Sequence, residues 1–241
     1  MVHPVFTTAE WDRLLSQVGY GNPEAPLWFL GMEEGLDEHT LPISENLKWR
    51  LNHFKQPFDT MTNHLQALFM PYAAGVLILP KTQTWPTMAK IARYLAGAAN
   101  WQDPSKAKAY VKECLGTARG SALLLELLPL PKPCFTCWPP LYNERFTGGL
   151  AAYIAEMLPL RVARLKRLAE DHKPTRIICY GKGYWQYYEQ IFPEVAWTEH
   201  VVGAKTKVKK GMSGGTIVML TPFFGNGALS NAALIGLCAQ L

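Results

Sequence analysis

Four short apolar runs divide this chain: Leu27–Leu30, Ala122–Leu125, Ile177–Tyr180 and Ile217–Leu220. Each has the length of a strand buried on both faces rather than the alternation of a half-exposed one. Each also closes on punctuation, at Gly31, Pro129, Gly181 and Pro222 respectively, where a backbone would turn.

Between the runs the apolar spacing is helical. Thr7-Thr8-Ala9-Glu10 has the form of a capping box opening a short helix through about Ser16, and Gly19, Gly21 and Pro23 break the chain after it. Helices are expected near Glu45–Phe54 and over Asp59–Met70, the latter with Leu65, Leu68 and Phe69 inward. Tyr72–Leu79 is apolar and fits either a helix or a strand. Thr84-Trp85-Pro86 and Asp103-Pro104 place proline in the first turn of helices over Met88–Ala99 and Lys106–Leu115.

A proline- and aromatic-rich loop follows Glu126, with Phe135, Trp138 and Tyr142 in it. Leu150–Met157 and Arg161–Asp171 form two helices divided by Pro159, and Tyr184–Phe192 another. Lys205–Lys210 is a basic segment, Phe223–Asn226 a loop, and Leu229–Leu241 a closing helix. Strands separated by helices imply right-handed crossovers. The expected fold is a single α/β domain over residues 1–241, a three-layer α/β/α sandwich on a central four-stranded parallel sheet.

Composition narrows the classes. With 241 residues, one large core is favoured over two small ones. Apolar content of 49% against 18% charged excludes a disordered chain. The net charge of +5 permits nucleic-acid binding without requiring it. Five cysteines, an odd count, suggest no disulfide framework; Cys134 and Cys137 are taken as loop packing, with no metal. The chain shows no amino-terminal signal pattern and no apolar run of bilayer length, so the expectation is a cytoplasmic monomer without membrane contact.

The chemistry-bearing residues sit at strand ends. Gly31-Met32-Glu33-Glu34-Gly35 puts two carboxylates where open α/β sheets bind ligands; the alternative is a solvated turn. Glu126 closes the second run and is either a site residue or half of a structural ion pair. His39, His53, His64 and His200 stand alone as surface or packing residues, although His64 on a helix could line a pocket.

These strand ends, in this order and spacing, resemble the uracil-DNA glycosylase superfamily. Its first motif, Gly-x-Asn/Asp-Pro-Gly or Gly-Glu-x-Pro-Gly, is matched by Gly31–Gly35. Its second, an apolar run ending in a uracil-reading asparagine, is matched by Leu123-Leu124-Leu125-Glu126. A third strand end is matched by Cys179-Tyr180-Gly181, and the His-Pro-Ser motif with its leucine wedge by Thr221-Pro222-Phe223 and Leu229-Ser230.

The resemblance implies a cofactor-free monofunctional hydrolase that flips a base out of DNA and cleaves its N-glycosidic bond. Glu33, or Glu34, would stabilise the sugar cation and orient water. Glu126 would read the base, helped by Thr221 and Asn226. Leu229 or Phe223 and Phe224 would fill the emptied stack, unless they pack the last helix. Lys205, Lys207, Lys209 and Lys210 would track phosphates, or merely protect a hairpin edge. Glutamate has no amide to donate to uracil O4, but a carboxylate accepts from a cytosine amino group. A modified cytosine, such as a glucosylated hydroxymethylcytosine in viral DNA, is therefore the expected substrate. Repair of uracil or mismatches, and a silent DNA-binding module of the same fold, are the alternatives.

Overall fold

A computed structural model describes residues 5–36, 41–55, 57–64, 82–134 and 136–241. The α/β class holds. The sheet is mixed and eight-stranded, with β1 (Gly19–Tyr20), β2 (Leu27–Gly31), β3 (Phe58–Asp59), β4 (Ala122–Glu126), β5 (Arg176–Tyr180), β6 (Thr198–Val202), β7 (Thr206–Ser213) and β8 (Thr216–Thr221) in the order β3-β1-β4-β2-β5-β8-β7-β6. The four expected strands are β2, β4, β5 and β8. β2 lies between β4 and β5 and runs parallel to both, and β5 runs parallel to β8. The pattern reading missed β1 and β3, which are two residues each; the basic segment, for which a hairpin edge is one of two expectations, lies in the antiparallel β6–β7 hairpin.

Side-chain alternation along the buried strands creates two cores. Trp28 and Leu30, Leu123 and Leu125, Ile177 and Cys179, and Val218 and Leu220 face one side. There they meet helices α1 (Thr8–Ser16), α2 (Ile43–His53), α5 (Gly149–His172) and α6 (Trp185–Ile191). Leu27 and Phe29, Ala122 and Leu124, Ile178 and Met219 face the other, against α3 (Thr84–Leu95), α4 (Pro104–Glu113) and α7 (Asn231–Cys238). Both faces of the central strands are thus covered, which is why the runs are continuously apolar.

The caps explain several boundaries. Thr7 and Glu10 form the expected reciprocal capping box at α1, Asp103 accepts from the Ser105 and Lys106 amides at α4, and Ser230 caps α7.

Two expectations are overturned. Pro159 does not divide two helices, because α5 runs unbroken from Gly149 to His172. Proline removes one hydrogen bond, to the carbonyl four residues back. Here Pro159 and Ala155 are both on the exposed face, where the freed carbonyl need not be buried unpaired, while Tyr153, Met157, Leu158, Arg161 and Leu165 anchor the helix on either side. Cys134 and Cys137 are not merely packed in the loop; they are joined by a disulfide. An odd total excludes complete pairing but not one local bridge.

Residues 65–81 lie outside the described residues, which removes Leu65, Leu68, Phe69 and Tyr72–Leu79 from the comparison; His39, within 37–40, and Phe135 lie outside them too. Among the described residues no helix is long and apolar enough to cross a membrane.

Candidate functional site

The order β4-β2-β5-β8 reverses the direction of chain progression beside β2, and in open α/β sheets ligands bind at the carboxyl ends of the strands beside such a switch point. The polar residues collect at that end. Gly31 is in register with Glu126; Leu30 pairs with Cys179 and Tyr180 with Thr221. Glu126, Gly31, Tyr180 and Thr221 therefore form one row across four strands.

Gly31 is the empty place in that row. A Cβ built on it would come within 2.3 Å of the Tyr180 hydroxyl and 2.5 Å of Glu126 Oε2. Tyr180 can reach the Glu126 carboxyl only because nothing projects from the strand between them. Phe224 fixes the Tyr180 ring from behind, stacked at 4.9 Å between centroids and 15° between planes. A Gly31→Ala variant is expected to displace Tyr180 or Glu126. The loss should be about 1–3 kcal/mol in denaturant unfolding, and the Tyr180→Phe change in the same background should recover part of it.

Three carboxyls gather at this end of the sheet in different environments. Glu34 is enclosed. Arg50 Nη2 lies 2.7 Å from its Oε1, the Tyr20 hydroxyl donates to its Oε2 at 2.7 Å, and His64 Nε2 is 3.4 Å away. Burial alone would raise its pKa, but Arg50, His64 and the hydrogen bonds outweigh burial and hold it at about 2. Burial also lowers the pKa of His64, against the pull of Glu34.

Glu33, its side chain 7% exposed, faces Lys132 Nζ at 3.3 Å. Burial raises its pKa and Lys132 opposes the rise. Glu126 is pushed furthest, first by burial and then by the charges of Glu34 and Glu33; Arg161 and the Tyr180 hydroxyl oppose this without cancelling it. Its Oε2 is buried without a well-directed hydrogen bond. Burial thus favours the protonated form of Glu126, whereas Arg50 and the Tyr20 hydroxyl keep Glu34 ionised.

The two displaced groups act on stability in opposite directions. Glu34, lowered on folding, adds stability above its ordinary value of 4.5 that disappears as pH falls toward about 2. Glu126, raised on folding, adds stability below 4.5 that is lost as pH rises through its native pKa. A Glu126→Gln variant is expected to lose the second dependence and keep the first. Urea unfolding of both proteins from acid to alkaline pH checks this; parallel curves would contradict the protonated assignment.

Backbone contacts hold the cluster in place. Leu127 and Leu128 donate to Gly31 O and Met32 O at 2.9 and 2.6 Å, and the Lys132 amide donates to Glu34 O at 2.9 Å. The buried Arg161 guanidinium donates to Glu126 O, Leu127 O and Gln17 O at 2.6, 3.0 and 2.9 Å.

The other expected site residues are distributed differently. Thr221 is fully buried, and its hydroxyl is directed at Cys179 O and Pro222 O at 3.3 and 3.0 Å, so its single proton is engaged with backbone. Asn226 is exposed in the loop with φ of 53°. Leu229 packs against the second core, whereas Phe223 is 40% exposed beside Tyr180. Lys207 pairs with Glu199 at 2.7 Å and Lys209 with Glu189 at 2.6 Å; Lys210 donates to Gln240 O, and Lys205 is exposed at the hairpin turn.

Sequence reasoning missed Tyr20, Arg50, Lys132, Arg161 and Tyr180 as members of the cluster. Arg50 and Arg161 carried a usable signal. Each falls on the apolar face of its helix, Arg50 three residues from Leu47 and Arg161 four from both Met157 and Leu165. A cavity of about 230 Å³ lined by Lys166, Ile177, Phe192, Glu194, Ser213 and Thr216 opens at the other end of the parallel strands, away from the carboxyls.

No protein-family model matches the chain, and no curated protein matches it.

Proposed function

We propose that the protein is a DNA glycosylase of the uracil-DNA glycosylase type, acting on a flipped cytosine-type base. The observation that carries this reading is the gathering of two buried carboxyls at adjacent strand ends, Glu126 pushed far up by burial and Glu33 raised less because Lys132 opposes the rise. N-glycoside hydrolysis needs both. The departing base needs a proton or a hydrogen-bond donor, and the sugar cation needs an anion and an oriented water. Separated pKa values assign such roles.

Neutral Glu126 donates to cytosine N3 and accepts from the N4 amino group through its other oxygen. Glu33 orients the water and faces the sugar. Glu34, locked to Arg50 and Tyr20, supplies fixed negative charge rather than proton transfer. Thr221 is left out of base contact, so the leaving group relies on Glu126. The parallel run β4-β2-β5-β8, with its polar ends at the switch point, supports a superfamily-like core for this chemistry.

The experiment is a panel of duplex and single-stranded DNAs carrying cytosine, 5-hydroxymethylcytosine, its glucosylated form, uracil or a mismatch, assayed for alkali-labile abasic sites. Release of a cytosine derivative is the expected result. Release of uracil alone would remove the cytosine assignment, and an intact panel with salt-sensitive DNA binding would leave a silent binding module.

A further inference from the structure

We propose that Cys134 and Cys137 form a thiol–disulfide exchange site, open to an external dithiol, whose oxidation state sets how firmly Lys132 is held against Glu33. The inference does not depend on the glycosylase reading. The bridge links residues three apart, and so short a ring removes less chain entropy than a long one; stapling the fold is a poor account of it. Cys134 is exposed and Cys137 half-buried, so an attacking thiolate has access to the Cys134 sulfur. Cys179 and Cys238 are buried thiols, and Cys114 is half-buried after the helix on the second core, whereas Trp138 beside the bridge packs on the first; burial pushes up the pKa of all three, which leaves the exchange to a partner from solution.

The bridge lies at the tip of a loop pinned at both ends. Before it, the Lys132 amide donates to Glu34 O, and Lys132 O accepts from the Leu36 amide at 3.0 Å. After it, Trp138 packs edge-on against Tyr142 at 5.2 Å, and the Tyr142 hydroxyl returns to Pro131 O. The closed ring takes up the slack between these anchors. Opening it lengthens the free path between Lys132 and Trp138 and loosens the ammonium that sits 3.3 Å from Glu33.

In the step itself, one thiolate of the dithiol attacks Cys134 Sγ, the Cys134–Cys137 bond breaks, and Cys137 leaves as a thiolate that takes a proton from water. The second thiolate of the reagent then displaces Cys134. Two electrons pass to the protein pair, and the reagent departs as its own disulfide.

The test uses the full chain under native conditions with dithiothreitol, followed by iodoacetamide and mass mapping. Alkylation of Cys134 and Cys137 is expected, with Cys179 and Cys238 untouched. In a carboxyl-labelled sample, reduction should raise the Glu33 titration by about one pKa unit, as a nearby cation is withdrawn. The Cys134→Ser/Cys137→Ser protein should titrate like the reduced form, and Lys132→Met should abolish the redox dependence. A pair that reduces only in denaturant, a Glu33 titration equal in both states, or a shift that survives Lys132→Met would each overturn the proposal.

Discussion

Replacing Arg50 with methionine is expected to cost about 3 kcal/mol or more of folding stability at neutral pH, because it leaves a buried carboxylate without its counter-charge. Arg50 is 5% exposed and Glu34 18% exposed in their side chains, so little water is on hand to screen the orphaned group. The guanidinium also serves Asn46 Oδ1 at 2.7 Å and the Tyr20 hydroxyl at 3.3 Å. Its loss strips three partners at once. The Glu34→Gln change in the same background should restore part of the loss, since a neutral amide needs no cation. Urea unfolding of the two single variants and the double variant measures the coupling. A loss under 1 kcal/mol for Arg50→Met, the range of an exposed pair, would show that the network is not holding the strand end.

Glu33→Gln is expected to lower base release by about 10²–10⁴-fold, the usual range for one positioned acid–base group, a larger effect than the stability it loses by leaving the buried Lys132 ammonium without its carboxylate. Glu34→Gln should do the reverse, damaging stability more than any effect on the chemical step. The contrast follows from their partners: Glu33 meets a single lysine, whereas Glu34 meets an arginine, a tyrosine and a histidine. The pH profile should separate them further. On the proposed mechanism Glu33 works ionised, and its raised pKa should set the acid limb. On the same mechanism Glu126 works protonated, and its loss of a proton should set the alkaline limb. Rates measured across pH on the best base of the panel should therefore be bell-shaped. Glu126→Gln, which cannot lose a proton, should flatten the alkaline side. An unchanged alkaline limb in that variant would remove Glu126 from the role.

The central strands and most helices were legible because their signals are local. Runs of four or five apolar residues ended by glycine or proline marked β2, β4, β5 and β8, and capping residues marked α1 and α4. The two-residue strands β1 and β3 carry no such pattern; they exist because the β4 edge offers unpaired backbone to Gly19 and Tyr20, and β1 does the same for β3. Pro159 misled because proline's local cost was weighed without the burial that fastens both sides of it. Position along the chain revealed the carboxylates, but not their charge states. Those depend on Arg50, Tyr20, Tyr180 and Arg161, which arrive from distant segments, and on the absence of a side chain at Gly31, whose meaning appears only when three strands lie side by side.

Arg161 ties together main-chain oxygens from Gln17, Glu126 and Leu127, so the turn after α1, the tip of β4 and the long helix α5 share a single knot. A knot of that kind does not loosen locally. The backbone beneath Glu126 is fastened to two distant segments at once, and replacements away from Arg161 leave that fastening undisturbed.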